Sequence, residues 1–312
     1  MRRAIQVVRH AFEAMARGET VMPSKVYLPL PGGSDFRAMP AFLRHPAASG
    51  IKWVNVHPNN RRRNLPTVMA VIILNDPATG FPLAILDGLL ITKLRTAAAA
   101  AVAAQTLARP QSRIVGLVGC GAQADAQLLA LAEVFKLSRV KVWGYATGEA
   151  DRFCRLMRHR LPKVVFEPQR TIEWCAREVD LLVTITPSRR PLIQRAWVDA
   201  GTHINAIGAD APGKQELDPD ILCEAIVIVD EREQAIHGGE LNVPVQRRQF
   251  DPRRIHASLG EVLRKQKSGR RAPHDITVFD STGLAIHDIA LGDEVRRQAR
   301  RHRLGRRINL FS

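Results

Sequence analysis

The sequence predicts an α/β fold: a doubly wound parallel sheet joined to a second, α+β domain that is discontinuous in the chain. Three observations predict it. From Ser112 onward, apolar strands alternate with helices in one direction, the pattern of a parallel sheet with crossover helices. A glycine-rich turn, Gly119-Cys120-Gly121-Ala122-Gln123-Ala124, separates the first of those strands from its helix. Ahead of it, residues 1–105 hold short strands joined by Pro/Gly turns, which suit an antiparallel sheet.

The elements follow in order. Ile5, Val8, Phe12 and Met15 recur at helical spacing, so the charged opening reads as an amphipathic helix rather than a signal peptide. Two strands come next, around Lys25–Leu30 and Asp35–Pro40, joined by a Pro-Gly-Gly turn. IKWVNVHP and PTVMAVIILND read as further strands; Asp76–Gly80 is a hairpin-type turn and FPLAILDG the return strand. Leu90 to Leu107 is alanine-dense and helical. In the second block SRIVGLV, VKVWGY, KVVFEP, DLLVTITP, THINAIGA, EAIVIVD and DITVFDSTG read as strands, with a basic helix from Glu149 to Arg160. The last stretch, GLAIHDIALGDEVRRQARRHRL, is helical and is expected to return to the first domain. The expected boundaries are 1–108 with 284–312 for one domain and 109–283 for the other.

Composition narrows the class. With 312 residues, 46% of them hydrophobic, the chain can bury two cores. No apolar run reaches the ~18 residues of a membrane span, so no membrane partner is expected. Cys120, Cys154, Cys175 and Cys223 lie far apart without a CxxC pairing. That spacing predicts neither a metal site nor a disulfide framework, and fits a reducing cytoplasm. The net charge of +16 allows a nucleic-acid partner or an arginine-rich enzyme surface. The arginines cluster at 61–63 and 296–307 with no RNP-type or zinc-finger motif, so the second is favoured.

Gly119 to Ala124 gives G-x-G-x-x-A directly after a strand and before a helix. In that context the motif predicts a Rossmann-type dinucleotide site: the glycines let backbone approach a pyrophosphate, and the helix N-terminus supplies free N–H groups. A second stretch, HINAIGADAPGK, ends an apolar strand on a carboxylate, Asp210, with Lys214 four residues on. Asp210 is a solvated loop acid or an acid at the rim of the cofactor cleft.

KWVNVHPNN, NLPTVMAVIILNDPATGFPLAILDG, LRTAAAAAVAAQTLARP, GCGAQA, GADAPGKQELD and FDSTGLAIHD resemble the ornithine cyclodeaminase/mu-crystallin family over nearly the whole chain. MPSKVYL, DFRAMPA, TPSRRP and EQAIHGGELNV are most similar to its archaeal-type alanine dehydrogenase branch. The resemblance implies a homodimer in which the discontinuous domain binds substrate and dimerises while the Rossmann domain binds NAD(H) or NADP(H). It implies Asp210 and Lys25 as catalytic residues, and Arg37, Lys52 and Arg95 as the grip on the substrate carboxylate. Arginine forks and a lysine point charge suit that task. It implies cofactor contacts at Thr67, Arg95, Gly119, Gly121, Ala122, Gln123, Gly144, Thr186, Asn205, Ala206, Lys214 and Ser281. His57 reads as a structural loop histidine.

The activity so implied is reversible oxidative deamination of an L-amino acid, L-alanine first, to its 2-oxo acid and ammonia. The alternatives are an ornithine cyclodeaminase, a ketimine reductase, or a mu-crystallin-like binding protein. Gly144 holds the position where an acid bonds the ribose 2′-hydroxyl of NAD, so NADP(H) is expected to be accepted at least comparably. Tyr145 is available to the adenine, Thr147 and a more distant Arg152 to a 2′-phosphate, and Gly144→Asp is expected to shift preference toward NADH.

Overall fold

The structure, a computed structural model, describes residues 1–309. Contacts divide the chain into two compact units: Met1–Ala16 with Thr96–Leu284, and Arg17–Arg95 with the chain from Ala285 on.

The first unit is built on an eight-stranded, all-parallel sheet. In sheet order its strands are Ala257–Ser258, Ile226–Val229, Thr277–Asp280, His203–Ala206, Leu181–Thr184, Ile114–Val118, Arg139–Trp143 and Val165–Pro168. Central strands such as Leu181–Thr184 are buried at every position, as a sheet covered on both faces requires. The two-residue period divides them between two cores. Val115, Leu117, Leu181 and Val183 join Leu128, Val140 and Phe153 in one; Val118, Leu182 and Ile204 join Ile221 and Val227 in the other. The chain order reverses between Ile114–Val118 and Leu181–Thr184. The loops after those two strands therefore flank the switch point, where doubly wound sheets open a ligand crevice.

Two segments pack with this unit against the sequence expectation. The helix Arg2–Ala16 belongs to it because Phe12 meets Phe279 edge-on at 6.4 Å. Gly260 also lets the helix backbone in: a Cβ there would sit 2.6 Å from the Phe12 carbonyl oxygen. The helix Gly88–Leu107 runs without a breaker past the 95/96 boundary, and Ala97–Ala104 are all buried in this unit. The compact units thus divide at 16/17, 95/96 and 284/285, where sequence punctuation suggested 108/109 and 283/284.

The second unit is a six-stranded antiparallel sheet. Its strands are Thr20–Val21, Val26–Leu30, Ser34–Leu43, Ala48–Val56, Val68–Asn75 and Pro82–Asp87. Gly32 and Gly33, at φ +76° and +73°, make the expected turn between the second and third. One face carries Met39, Leu43, Ile72 and Leu74 against the helix Ala285–Arg301; Gly292 admits Leu86, Ile72 and Leu74. The opposite face leaves Trp53, Val71 and Ile85 exposed by 39%, 43% and 59%. The register Trp53↔Val71 and Ile73↔Ile85 makes this one continuous apolar patch.

Candidate active site

In the antiparallel unit, register decides which polar groups meet. Met39 pairs with Lys52 and Arg37 with Val54. Arg37 and Lys52 are therefore both on the helix-covered face, 5% and 1% exposed. Asp288, in the first turn of Ala285–Arg301, is fully buried beside them. Lys52 Nζ donates to its Oδ2 at 2.7 Å, and Arg95 Nε to its Oδ1 at 3.1 Å. One carboxylate is thus shared between two buried basic groups. Burial pulls the Lys52 ammonium down from the ordinary 10.5 to about 7; Asp288 opposes that shift, while Arg95 and Lys25 add to it. Burial alone would raise Asp288, but Arg95 and Lys52 overcome it and hold the carboxyl below its usual range. His287 is kept neutral, at about 3, by burial and then by Arg95.

Arg37 is gripped by Asp35, Nε to Oδ1 at 2.8 Å and Nη2 to Oδ2 at 3.1 Å, with its guanidinium 5.3 Å from the Tyr27 ring centre. Asp35 takes two of the five donors of the fork and fixes its plane. Lys25 precedes the strand Val26–Leu30 and is partly exposed. Thr67 precedes Val68–Asn75, and its carbonyl accepts from the His57 N–H at 2.7 Å. His57 itself packs edge-on to Phe36 at 5.3 Å. Arg37, Lys52 and Arg95 are the expected carboxylate-binding residues; Asp35 and Asp288 escaped sequence reasoning. The available signal for Asp288 was an acid inside the apolar helical run from Leu284 to Leu291.

In the parallel-sheet unit, the G-x-G-x-x-A turn lies at the switch point. Gly119 has φ +104°, and a Cβ on it would meet the Ile185 carbonyl oxygen at 2.8 Å and Thr186 Cγ2 at 2.9 Å. Only glycine lets these two loops touch. Gly121 faces open space, with nothing within 4 Å of where a Cβ would be. The helix Ala124–Val134 starts without a side-chain cap, and Gln123 Oε1 is buried with no hydrogen-bond partner. Open space at Gly121 and a helix N-terminus without a side-chain N-cap fit a pyrophosphate; Gln123 Oε1, an acceptor, calls instead for a donor. Ala122 and Gln123 lie in that turn. Ala206 ends the strand His203–Ala206, and Ser281 follows Thr277–Asp280, its N–H donating to the Ala206 carbonyl at 3.1 Å.

Asp210 and Lys214 lie beyond His203–Ala206 and pair with each other at 2.5 Å. Four contacts fix the backbone around them. Ile207 N–H donates to Thr184 O at 2.9 Å, Gly208 N–H to Glu216 Oε2 at 2.9 Å, and Gly213 N–H to Asn242 Oδ1 at 2.8 Å. Asn242 Nδ2 returns a bond to Lys214 O at 2.8 Å. The other Glu216 oxygen accepts from the Thr186 N–H and hydroxyl at 2.7 and 2.8 Å. One fully buried carboxylate thus clips the Thr186 loop to the Asp210 loop. Burial raises Glu216 to about 6. Glu240 takes the Glu216 and Leu217 N–H groups, and Asp280 takes those of Glu240 and Leu241. Glu216, Asn242, Glu240 and Asp280 were not singled out in the sequence, because each acts on backbone far along the chain.

Two more of the expected cofactor residues have these surroundings. Asn205 is fully internal: its Nδ2 donates to Ala100 O at 3.2 Å and its Oδ1 faces His203 Nε2 at 3.1 Å. Its amide holds the helix Gly88–Leu107. Gly144, just past Arg139–Trp143, is packed: a Cβ there would lie 2.6 Å from Cys120 Sγ. A side chain added at 144 would require Cys120 Sγ to shift. Among the described residues no group of three or more His, Cys, Asp or Glu is disposed to hold a metal ion, and no helix is long and apolar enough to cross a membrane.

Known proteins resemble the chain over its length. The ornithine cyclodeaminase/mu-crystallin family profile matches residues 1–303. Alanine dehydrogenase of Archaeoglobus fulgidus is 47% identical over 311 residues, 100% of this chain and 94% of that protein. A solved archaeal alanine dehydrogenase dimer with bound NAD has a TM-score of 0.95 at 47% identity, covering 99% of this chain and 94% of its own. The Δ1-pyrroline-2-carboxylate reductase of Thermococcus litoralis, solved with NADH and L-proline, has a TM-score of 0.95 at 32% identity, covering 98% and 95%. A match of this length, with the same parallel-sheet fold, places the chain in the ornithine cyclodeaminase/mu-crystallin family.

Proposed function

We propose that the protein is an NAD(P)-dependent amino-acid dehydrogenase that interconverts an L-amino acid, L-alanine first, with its 2-oxo acid and ammonia. The observation that carries this reading is the full-length 47% identity to the A. fulgidus enzyme, together with the buried cation set Arg37, Lys52 and Arg95. A bound nicotinamide supplies the hydride donor or acceptor. Arg37, Lys52 and Arg95 hold the substrate carboxylate, and Asp210 with Lys25 moves the proton at the substrate nitrogen. Lys214, Thr186 and the Gly119–Gln123 turn hold the cofactor. Relatives solved with NAD or NADH support NAD(H) use. The glycine at 144 supports NADP(H) being accepted at least comparably.

A homodimer is supported by the exposed face of Trp53, Val71 and Ile85 and by the dimeric archaeal structure. Four free cysteines suit a cytoplasmic place. The basic surface is that of an ordinary enzyme, with nucleic acid bound only weakly and lost as salt rises.

The test is oxidation of NADH and NADPH with pyruvate, other 2-oxo acids and cyclic imines, with and without ammonia, beside an ornithine-to-proline assay. Ammonia-dependent turnover of pyruvate is expected. A second reading, reduction of a cyclic imine, is favoured by the likeness to the T. litoralis reductase; ammonia-independent turnover of pyrroline-2-carboxylate alone would establish it instead. Proline formed from ornithine without net cofactor change would mean a cyclodeaminase, and no turnover on any compound a binding protein.

Two further results are expected. Arg37→Lys removes a planar fork already seated on Asp35, and a lysine cannot reproduce two parallel bonds. KM for pyruvate should rise about tenfold or more with cofactor titration unchanged; an unmoved KM would remove Arg37 from the clamp. Lys52 is charged below about 7 and neutral above it. KM for a 2-oxo acid should therefore climb as pH rises through 7, and a KM flat from pH 6 to 8.5 would take Lys52 out of carboxylate binding.

A further inference from the structure

We propose that Glu216 is a positioning residue for proton transfer: its ionised carboxylate holds the Asp210 loop against the Thr186 loop, and turnover depends on that charge although the group, fully buried, touches neither substrate nor cofactor. The role rests on the reading of Asp210 as the proton-transfer acid. Glu216 lies in the short strand Gln215–Leu217, buried at every position. Its two oxygens serve different loops. Oε1 accepts the Thr186 N–H and hydroxyl at 2.7 and 2.8 Å, and Oε2 accepts the Gly208 N–H at 2.9 Å.

The two loops approach as closely as bare backbone allows. A Cβ at Gly208, two residues before Asp210, would lie 2.1 Å from the Thr186 carbonyl oxygen and 2.5 Å from Glu216 Oε2. On its other side Thr186 meets the glycine turn, where its Cγ2 would be 2.9 Å from a Cβ at Gly119. With its hydroxyl bound to Glu216, Thr186 turns its methyl toward that turn. One carboxylate therefore sets Asp210 relative to the Gly119 turn. The carboxylate is itself seated: Glu240 takes the Glu216 and Leu217 N–H groups at 2.9 and 2.7 Å, and Asp280 takes the Glu240 N–H at 2.9 Å. Asn242 fixes the far end of the loop at Gly213 and Lys214. A backbone bond such as Ile207 N–H to Thr184 O closes a loop at any pH. A buried acid in its place makes the closure depend on charge.

The titratable and charged groups around Glu216 are Glu240 and, behind it, Asp280, with Asp210 and Lys214 on the loop and Arg189 on the strand paired with Gln215. Burial first, and then Glu216, push the Glu240 carboxyl well above its ordinary range, so it stays neutral while Glu216 ionises. Burial raises Glu216 to about 6 against the pull of the Thr186 bonds. Protonation turns one acceptor into a donor, and that donor faces an N–H. The sign for stability is the opposite of a denaturing group. A carboxyl raised in the folded state takes up a proton more readily there than in the unfolded chain. Its contribution to stability is fully present below 4.5 and lost as pH rises through about 6. Acid thus opens the clip without unfolding the protein through this group.

The test is kcat from pH 5 to 8 for wild type and Glu216→Gln, beside hydrogen exchange of the Thr186 and Gly208 amides corrected for intrinsic rates. Glutamine has one acceptor oxygen, so its NH2 must face the N–H of Thr186 or of Gly208. At pH 7.5 it should lower kcat about tenfold or more, the scale of a displaced catalytic group, with KM for pyruvate near that of wild type. Wild-type kcat should fall below about pH 6, and the variant, with no charge to lose, should lack that limb. An acid limb that persists unchanged in Glu216→Gln belongs to Asp210 and refutes the dependence on Glu216. Both amides should exchange faster in the variant, and in wild type at pH 5, than in wild type at pH 7.5. Equal protection in wild type at the two pH values, a comparison that needs neither the variant nor turnover, refutes the clip. Wild-type kcat in Glu216→Gln with Asp210→Asn inactive would overturn Glu216 alone. Wild-type kcat in Asp210→Asn, with the two amides of Glu216→Gln deprotected, would overturn the acid reading of Asp210 and with it the proton-transfer role, leaving only the clip.

Discussion

Asp210→Asn is expected to lower turnover about 100-fold or more, the scale of a positioned acid or base, while leaving the fold intact. The reason lies in how the loop is held. Ile207, Gly208, Gly213 and Lys214 are each tied by a bond that does not involve the Asp210 carboxylate. The carboxylate does pair with Lys214, but the two side chains are 39% and 20% exposed. Such a pair contributes less than about 1 kcal/mol. Asparagine keeps the shape and an acceptor for Lys214, and removes only the exchangeable proton site. Cofactor affinity should therefore stay within a fewfold, since Lys214 remains in place and merely loses its counter-charge. The measurement is kcat beside a cofactor titration and a melting curve. Turnover like that of wild type would end the catalytic assignment. Lost turnover with lost cofactor binding would instead make Asp210 a positioning residue for Lys214.

Much of this frame was legible in the sequence because its signals are local. The strands Ile114–Val118 and Leu181–Thr184 are short apolar runs, and the glycine turn between Val118 and Ala124 has one conformational reading. Glu149–Arg160 is delimited by Gly148, at φ +72°, and by a basic last turn. What was not legible depends on distance along the chain. The short parallel pair Arg189–Ile193 with Gln215–Leu217 has no pattern until both segments are placed side by side. The boundary inside Gly88–Leu107 is invisible because an unbroken helix carries no punctuation there. In the site, the motifs named the cations but not what keeps them in place. Lys52 and Asp288 are 236 residues apart, and Glu216 binds backbone 30 residues away at Thr186. A carboxylate that serves a distant backbone N–H looks, in one sequence, like any other acid.

Asp288→Asn is the substitution expected to cost most stability. The native carboxylate is shared by Lys52 and Arg95, and all three groups are almost fully buried. Asparagine can still accept one bond, but no charge remains to balance two cations in a low dielectric. Breaking a buried pair in this way costs about 3–5 kcal/mol, to be read as a lower denaturant midpoint. The loss has a second, chemical consequence. Lys52 is already depressed to about 7 by burial, and the Asp288 charge is what opposes a further fall. Without it, Arg95 and Lys25 act unopposed and Lys52 gives up its proton below pH 7. The pH at which KM for pyruvate begins to climb should therefore move down, so that at pH 7 the variant binds substrate poorly while turnover at saturation changes less. This split separates two roles for Asp288. If it only fills space and fixes the helix Ala285–Arg301, the midpoint falls and the pH profile of KM stays where it was. If it sets the charge of the carboxylate grip, both move together, and Asp288→Glu, which keeps the charge on a longer stem, should recover the pH profile more fully than the stability.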